Sequence, residues 1–313
     1  MTLEQLRIFV AVAERQHVTQ AAHEINITQS AASSAIAALE ERYAVKLFDR
    51  VGRRIELTDA GRIFLTEARG VLARASTAEN ALQDLSGMKR GTLSIFASQT
   101  IINYWLPPFL ATFHKRYPDI KLKVSAGNTQ QVATATHEGA AHIGFVEGAI
   151  DDPHLSVRSI EGDRLIIAVG PAHALASKPE LEPSDLLSTR WVLREEGSGT
   201  RTEFEEALKS LSMTLADLDV ALELPSNEAV CAAVEAGVGA TAISNLVAEP
   251  ALLSGRLVSP DFPLPLRSFR VLRHKERYVS QAELAFLELV GAGPESPARR
   301  RPGNQHKARA RQT

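Results

Sequence analysis

Residues Val18–Tyr43 read VTQAAHEINITQSAASSAIAALEERY, and the organisation of the whole chain can be worked out from this stretch. Thr19 precedes an Ala21-Ala22 pair, small enough for another helix to cross at close range. Asn26 stands between Ile25 and Ile27, where a tight turn can use a residue tolerant of left-handed φ. Thr28 comes next as an N-cap, and Ala32, Ile36 and Leu39 then recur at helical spacing with Ala35 beside them. The other face of this second helix carries Gln29, Ser30, Ser33 and Ser34 near its N-terminus. Short polar groups on a rod narrow enough for the major groove can meet base edges and phosphates, so the pattern predicts a DNA-reading helix pair. A plain helical hairpin facing water shares that local pattern, and the flanking sequence has to separate the two.

Upstream, Leu3, Leu6, Phe9, Val10 and Ala13 share one face of a first helix over residues 2–15, which can close a three-helix core on Ala21, Ala22 and Ile36. Downstream, Leu47 and Phe48 anchor the segment AVKLFDRVGRRIELTDAG, Gly52 offers a turn, and Ile55 and Leu57 alternate with polar residues as in a strand. Arg50, Arg53 and Arg54 cluster at that turn, and a short hairpin tipped with arginines can reach a phosphate backbone or a minor groove. Thr58-Asp59 then opens a helix running to Ser86 without a proline. Phe64, Val71, Ala78 and Leu85 repeat by sevens along it, with Ala68, Ala75 and Leu82 beside them. Such a seam predicts a dimerisation helix, since paired DNA readers need paired half-sites.

A chain of 313 residues suggests two or three domains. Its one cysteine, Cys231, excludes an intrachain disulfide framework and suits a reducing cytoplasm. The N-terminus has Glu4, Arg7 and Glu14 spaced through it, unlike a signal peptide, and no apolar run approaches the ~20 residues of a membrane span. A cytoplasmic location is therefore expected. The net charge of −2 hides an asymmetry: residues 1–90 hold 12 Lys/Arg against 11 Asp/Glu, residues 91–298 hold 17 against 26, and residues 299–313 hold six and no acid. Phosphate contacts must come from the ends of the chain rather than from its acidic middle. The tail from Pro294 has no apolar periodicity and reads as disordered, either adding non-specific DNA affinity or merely solvating.

Beyond a polar hinge at 88–91, strand and helix patterns alternate: GTLSIFAS, Leu106–Tyr117, IKLKVSA, Gln130–Glu138, HIGFVEG, then DRLIIAVG, RWVLRE, Arg201–Leu211, DVALELP, Glu228–Ala236 and GATAIS. RSFRVLRHK and a helix near Gln281–Leu289 end the series. Alternation of this kind indicates α/β structure with parallel βαβ units. Ligands in such sheets bind at the carboxyl ends of strands, against helix N-termini. Four turns there carry suitable groups: Ser98, Gln99 and Thr100; Asn128 and Thr129; Ser198, Gly199, Thr200 and Arg201; and Glu228 after Ser226-Asn227. Each alone reads as a helix cap, but repetition at all four turns predicts a joint site for a small anion. Glu195 and Glu196 would oppose an anion and are expected to face outward.

Catalysis gains little. The nine histidines show no metal-ligand spacing, Cys231 sits at apolar helical spacing in AVCAAVEAG, and GVGAT lacks the rest of a dinucleotide fingerprint. No metal, cofactor or catalytic residue is expected.

The segments LEQLRIFVAVAER, TQAAHEINITQSAASSAIAALE and LFDRVGRRIELTDAG, with the long helix after them, are similar to the N-terminal domain of LysR-type transcriptional regulators. The order and length of the α/β segments downstream extend the resemblance to about residue 295. It implies a winged helix-turn-helix over 1–58, a dimerisation linker helix over 59–87, the hinge at 88–91, an effector-binding domain over 92–293 and a basic tail over 294–313. The effector domain would resemble type 2 periplasmic binding proteins, with lobe I at about 92–162 and 268–293 and lobe II at about 163–267. The family commonly has arginine after the second serine of a Ser-Gln-x-x-x-Ser pattern; this chain has Ser34 there, with Thr28 and Ser30 in place of the usual serine and proline. More of the affinity should then rest on the Arg50–Arg54 wing. ASQTIINYWLP, GNTQQV and LREEGSGTR most resemble a subgroup concerned with sulfur metabolism and related to carbon-fixation regulators. That likeness implies a ligand-responsive, sequence-specific DNA-binding regulator, a homodimer or homotetramer, with RNA polymerase as a candidate partner and sulfite, sulfate or a small carboxylate as effector. The competing reading is a cytoplasmic solute-binding or enzymatic α/β protein with an incidental helical N-terminus.

Overall fold

The computed structural model describes residues 1–51, 54–85 and 91–293. Arg53, most of the expected hinge and the basic tail lie outside the described residues, as does the Arg54 side chain.

Helix α1 (Leu3–Arg15) opens on a reciprocal capping box between Thr2 and Gln5 and buries Leu6, Phe9, Val12 and Ala13. Helices α2 (Val18–Glu24) and α3 (Gln29–Tyr43) bury Ala21 and Ala22, and Ala32, Ile36 and Leu39. Between them Asn26 takes φ 56°, and the Ile27 N–H reaches the Ala22 carbonyl at 2.9 Å, which sets the turn. Strands β1 (Phe48–Val51) and β2 (Arg54–Leu57) pair antiparallel as a wing. Glu40 of α3 holds the wing's entry, its carboxylate accepting from the Leu47 N–H at 2.8 Å, the Phe48 N–H at 3.2 Å and Lys46 Nζ at 2.8 Å. Burial pushes the Glu40 carboxyl up, but these donors outweigh it and leave it below the usual range.

Helix α4 (Asp59–Leu85) is capped by Thr58, whose hydroxyl accepts from the Gly61 N–H at 2.9 Å. Its first turns lie on the head, and this redraws the expected seam. Ala68 is buried with Leu6, Phe9, Leu39 and Leu47 in the head's own core, and the half-buried Phe64 packs against the same cluster. Among the described residues, the large apolar side chains of α4 that face outward are Ile63, Val71, Leu82 at 69 % exposure and Leu85 at 83 %, with Ala78 exposed and Ala75 half-buried between them.

The rest of the chain forms a two-lobed α/β domain. In order come β3 (Gly91–Ser98), α5 (Pro107–Arg116), β4 (Ile120–Gly127), α6 (Thr129–Glu138), β5 (Ile143–Val146) and β6 (Leu155–Ala168). Next are α7 (Pro183–Leu187), β7 (Arg190–Arg194), α8 (Gly199–Ser210), β8 (Asp219–Leu224), α9 (Asn227–Glu235), β9 (Thr241–Ser244), α10 (Asn245–Leu253), β10 (Leu266–His274) and α11 (Gln281–Leu289). The large sheet has the order β4-β3-β5-β10-β6-β9. Strand β3 runs parallel to β4 and β5, whereas β10 is antiparallel to both β5 and β6. Strand β6 starts well before the expected DRLIIAVG: its first part pairs with β10 in one lobe, and Leu165–Ala168 pair with β9 in the other. One strand therefore crosses both lobes and returns alongside β10. The two cores centre on Phe113, Phe145, Phe269 and Phe286, and on Trp191, Phe204 and Leu208. No helix among the described residues is long and apolar enough to cross a membrane.

Candidate nucleic-acid interface and effector cleft

The N-terminal half of α3 projects from the head with Gln29, Ser30 and Ser34 exposed and Ser33 half-buried. Thr28 caps the helix by accepting from the Ala31 N–H at 3.2 Å and lies 3.0 Å from Ser30 Oγ. Gln29 Nε2 donates to Ser33 Oγ at 2.9 Å, which ties the amide to the next turn of the helix and leaves its oxygen free to accept. Thr19 on α2 and Arg50 on the wing are exposed. The polar side chains of α3 thus face outward, while Ala32 and Ile36 on its opposite face are locked into the core.

The cleft is assembled from segments far apart in the sequence. Strand β3 ends at Ser98, paired with Gly127 at the end of β4, and β5 ends beside them. Ser98 is 3 % exposed and Thr129 7 % exposed, and neither hydroxyl has a hydrogen-bond partner among the described residues. Thr100 and Thr200 are wired differently. Thr100 Oγ1 accepts from Asn227 Nδ2 at 3.1 Å, and Thr200 Oγ1 accepts from the Arg267 guanidinium at 3.3 Å. A hydroxyl whose oxygen already accepts keeps its O–H as a donor, so Thr100 and Thr200 can still donate, as Ser98 and Thr129 can. Gly199 opens α8 against Thr129: an added Cβ would fall 2.5 Å from Thr129 Oγ1 and 3.0 Å from Glu147 Oε2, so only glycine allows this approach of the lobes. Thr129, Gln130, Gly197 and Thr202 also border a cavity of about 430 Å³ whose remaining lining comes from Thr66 of α4, α6 and the 149–152 segment.

Several expected site residues do other work. Asn128 caps α6, accepting from the Gln131 N–H at 3.0 Å. Arg201 is turned from the cleft because Glu205 and Glu223, both 2.9 Å away, hold its guanidinium. Glu228 is exposed and accepts from Asn103 and Tyr104, each at 3.2 Å, tying the lobes together at the rim rather than meeting an anion. Gln99 likewise bridges the lobes, donating to the Pro225 carbonyl at 2.9 Å. Ser198 is buried at the start of α8 without capping it. Glu196 is exposed, but Glu195 folds back onto Arg194 through contacts of 2.8 and 3.0 Å.

Sequence reading missed the charged floor of the cleft. Asp163 of β6 and Arg267 of β10 form a fully buried ion pair where the two crossover strands meet, and Ser244 also donates to Asp163. Burial opposes the arginine's charge, but Asp163, with Glu147 and Glu203 nearby, outweighs it and raises its pKa. Arg270 donates to the Glu147 carbonyl and lies 3.4 Å from Glu203.

A chain of contacts leads from the cleft to the head. Thr129 begins α6, and Glu138 ends it. Glu138 pairs with Arg69 of α4 at 3.1 Å, and Arg69 also pairs with Glu14 of α1 at 2.9 Å. Farther along α4, Asp84 accepts from the Gln281 N–H at 2.9 Å and from the Tyr278 hydroxyl at 3.1 Å.

Comparison with known proteins places these parts in a common frame. Residues 3–62 match the family described as bacterial regulatory helix-turn-helix protein, lysR family, and residues 86–294 match the LysR substrate binding domain. An uncharacterized HTH-type transcriptional regulator of Escherichia coli, YeiE, is 33 % identical over 290 residues, covering 92 % of this chain and 96 % of its own. The RuBisCO operon transcriptional regulator of Allochromatium vinosum is 30 % identical over 93 % of this chain and 95 % of its own, and CysL of Bacillus subtilis is 32 % identical over 79 % and 82 %. Among solved structures, CbnR in complex with its target DNA superposes with a TM-score of 0.67 at 23 % identity, covering 93 % of this chain and 99 % of that one.

Proposed function

This chain belongs to the LysR family of bacterial transcriptional regulators, and on that footing we propose that a small anion, bound between its lobes, resets how its paired heads sit on DNA. It is a ligand-responsive DNA-binding regulator rather than an enzyme. The anion reading rests on one observation: the hydroxyls of Ser98 and Thr129, at the neighbouring ends of β3 and β4, are buried without a hydrogen-bond partner among the described residues, and Thr129 Oγ1 lies against the start of α8. Unsatisfied buried hydroxyls cost free energy unless something answers them, and an oxyanion answers several at once. Sulfite, sulfate and small carboxylates are the candidates.

Ligand at Thr129 acts on the first turn of α6, whose last turn holds Arg69 and, through it, α1. The anion shifts the head only to the extent that it binds one lobe arrangement more tightly than the other. Two chains join through the outward side of α4 at Ile63, Val71, Ala75, Ala78, Leu82 and Leu85, and two such dimers make the tetramer. Base reading falls to Gln29 and Ser33, with Thr19, Thr28, Ser30 and Ser34 at the edges of the groove and Arg50, Arg53 and Arg54 on phosphates.

The test is a thermal-shift screen of sulfite, sulfate and small carboxylates on the full chain. At least one should raise the unfolding temperature of the wild type, and Thr129→Val should abolish that rise. A rise that survives in Thr129→Val, or no rise with any anion, contradicts the cleft site.

A further inference from the structure

We propose that Glu147 makes the cleft select an oxyanion that still carries a proton. This rests on the cleft being the effector site. Glu147 comes directly after β5 and is 2 % exposed, with its Oε2 aimed at Gly199 where Thr129 Oγ1 also points. The guanidiniums nearest to it are committed elsewhere: Arg267 to Asp163 and Thr200, and Arg270 to the Glu147 main-chain carbonyl and Glu203. Its carboxylate takes part in no ion pair among the described residues. The junction of β5, α6 and α8 therefore offers one unpartnered hydroxyl donor, from Thr129, and one buried acceptor, with the second unpartnered hydroxyl, Ser98, at the end of the adjoining strand β3.

A ligand matching that set presents oxygens to the hydroxyls and one O–H to Glu147. Hydrogensulfite, hydrogencarbonate and hydrogenphosphate have such a group near neutral pH. Sulfate has only acceptors, and one of its oxygens would face the carboxylate lone pair to lone pair, at like charge and out of water. Repulsive placement of this kind is how sites reject near-isosteres, and a site built around a ligand O–H discriminates strongly against analogues that lack it. The carboxylate thus acts as a filter, while the hydroxyls supply the general attraction for an anion.

Calorimetric titration of the full chain with sulfite, bicarbonate, phosphate and sulfate, and with glycine as an ammonium-bearing control, reads this out. At least one of the three protonatable anions should bind on the order of tenfold or more tighter than sulfate. Its affinity should fall as rising pH strips the proton, while that for sulfate stays level. Glu147→Gln should bring sulfate to within about threefold of the preferred anion, because a neutral amide can donate where the carboxylate repels. The wild-type pH series holds the test open if that variant fails to fold. Sulfate binding as well as the other anions, glycine binding best, or an unchanged ratio in Glu147→Gln overturns the filter. If Thr129→Val abolishes all anion binding while Glu147→Gln leaves selectivity unchanged, the filter alone falls. Loss of neither in Thr129→Val removes the cleft site itself.

Discussion

In the head, the side chains offered to DNA by α3 come from neighbouring residues, Thr28 to Ser34, and they bond mainly to one another and to their own helix. In the cleft, the polar groups come from segments as far apart as Ser98 and Arg267, and nearly all are buried. A surface reader needs local spacing and exposure; a ligand filter needs groups that share one dry pocket and cancel each other's charge. The two regions should therefore fail differently. Damage to the head should change DNA affinity and leave stability alone, whereas damage to the buried ion pair of the cleft should cost stability first.

The largest effect is expected at the crossover. Removing one partner of the Asp163–Arg267 pair leaves a lone charge with almost no solvent, at a cost of about 3–5 kcal/mol. Arg267→Met should therefore lower the denaturant midpoint sharply, with Asp163→Asn close behind; a small loss would show that water reaches the floor of the cleft. In the head, Gln29→Ala should weaken specific DNA binding by about 1–3 kcal/mol with the unfolding temperature unchanged, measured by gel shift against competitor DNA. Equal loss on non-specific DNA would mean that Gln29 touches phosphate rather than bases.

Between the two regions lies the contact of α4 with α11. Burial pushes the Glu283 carboxyl up to about 7, against an ordinary 4.5. The folded chain therefore keeps a proton that the unfolded chain has released, and stability falls as pH rises from 4.5 to 7. Glu283→Gln should flatten that fall, which for the wild type amounts to several degrees at roughly 2–4 °C per kcal/mol. An identical pH profile in the variant would show that Glu283 is hydrated. Arg69→Gln, which unlinks Glu138 from Glu14, should leave both DNA and anion binding nearly intact and reduce their coupling by about 0.5–2 kcal/mol. Arg50→Ala should have the smallest effect, lowering the salt slope of DNA binding by about 1 for all sequences. A greater loss of affinity from Ser34→Ala than from Arg50→Ala would break the reading that the wing carries the phosphate contacts.

How much the sequence discloses divides along the same line. Helices α1 to α3 and their turn are spaced by local rules, so Asn26, Thr28 and the Ala32-Ile36-Leu39 face are readable directly. The heptads of α4 are readable too, but not the packing of Phe64 and Ala68 on the head, because periodicity does not say which neighbour claims a face. The hydroxyls at the strand ends are visible as a repeated turn pattern. The diversion of Arg201 has a local signal as well, since Glu205 stands at i+4 on the same helix. The Asp163–Arg267 pair spans 104 residues and leaves no local trace. Glu147 leaves a faint one, an acidic residue set directly behind the fully buried strand Ile143–Val146 at its carboxyl end.

The central claim is that an anion at Thr129 reaches the heads on DNA. Nuclease footprinting of the full-length protein on the DNA upstream of its own gene, with and without the anion that gives the largest thermal shift, tests this most directly in the wild type and in Thr129→Val. The expected footprint changes in length or internal cleavage with the anion in the wild type and stays fixed in the variant. The same change in both proteins, or a wild-type footprint indifferent to an anion that demonstrably binds, would contradict it.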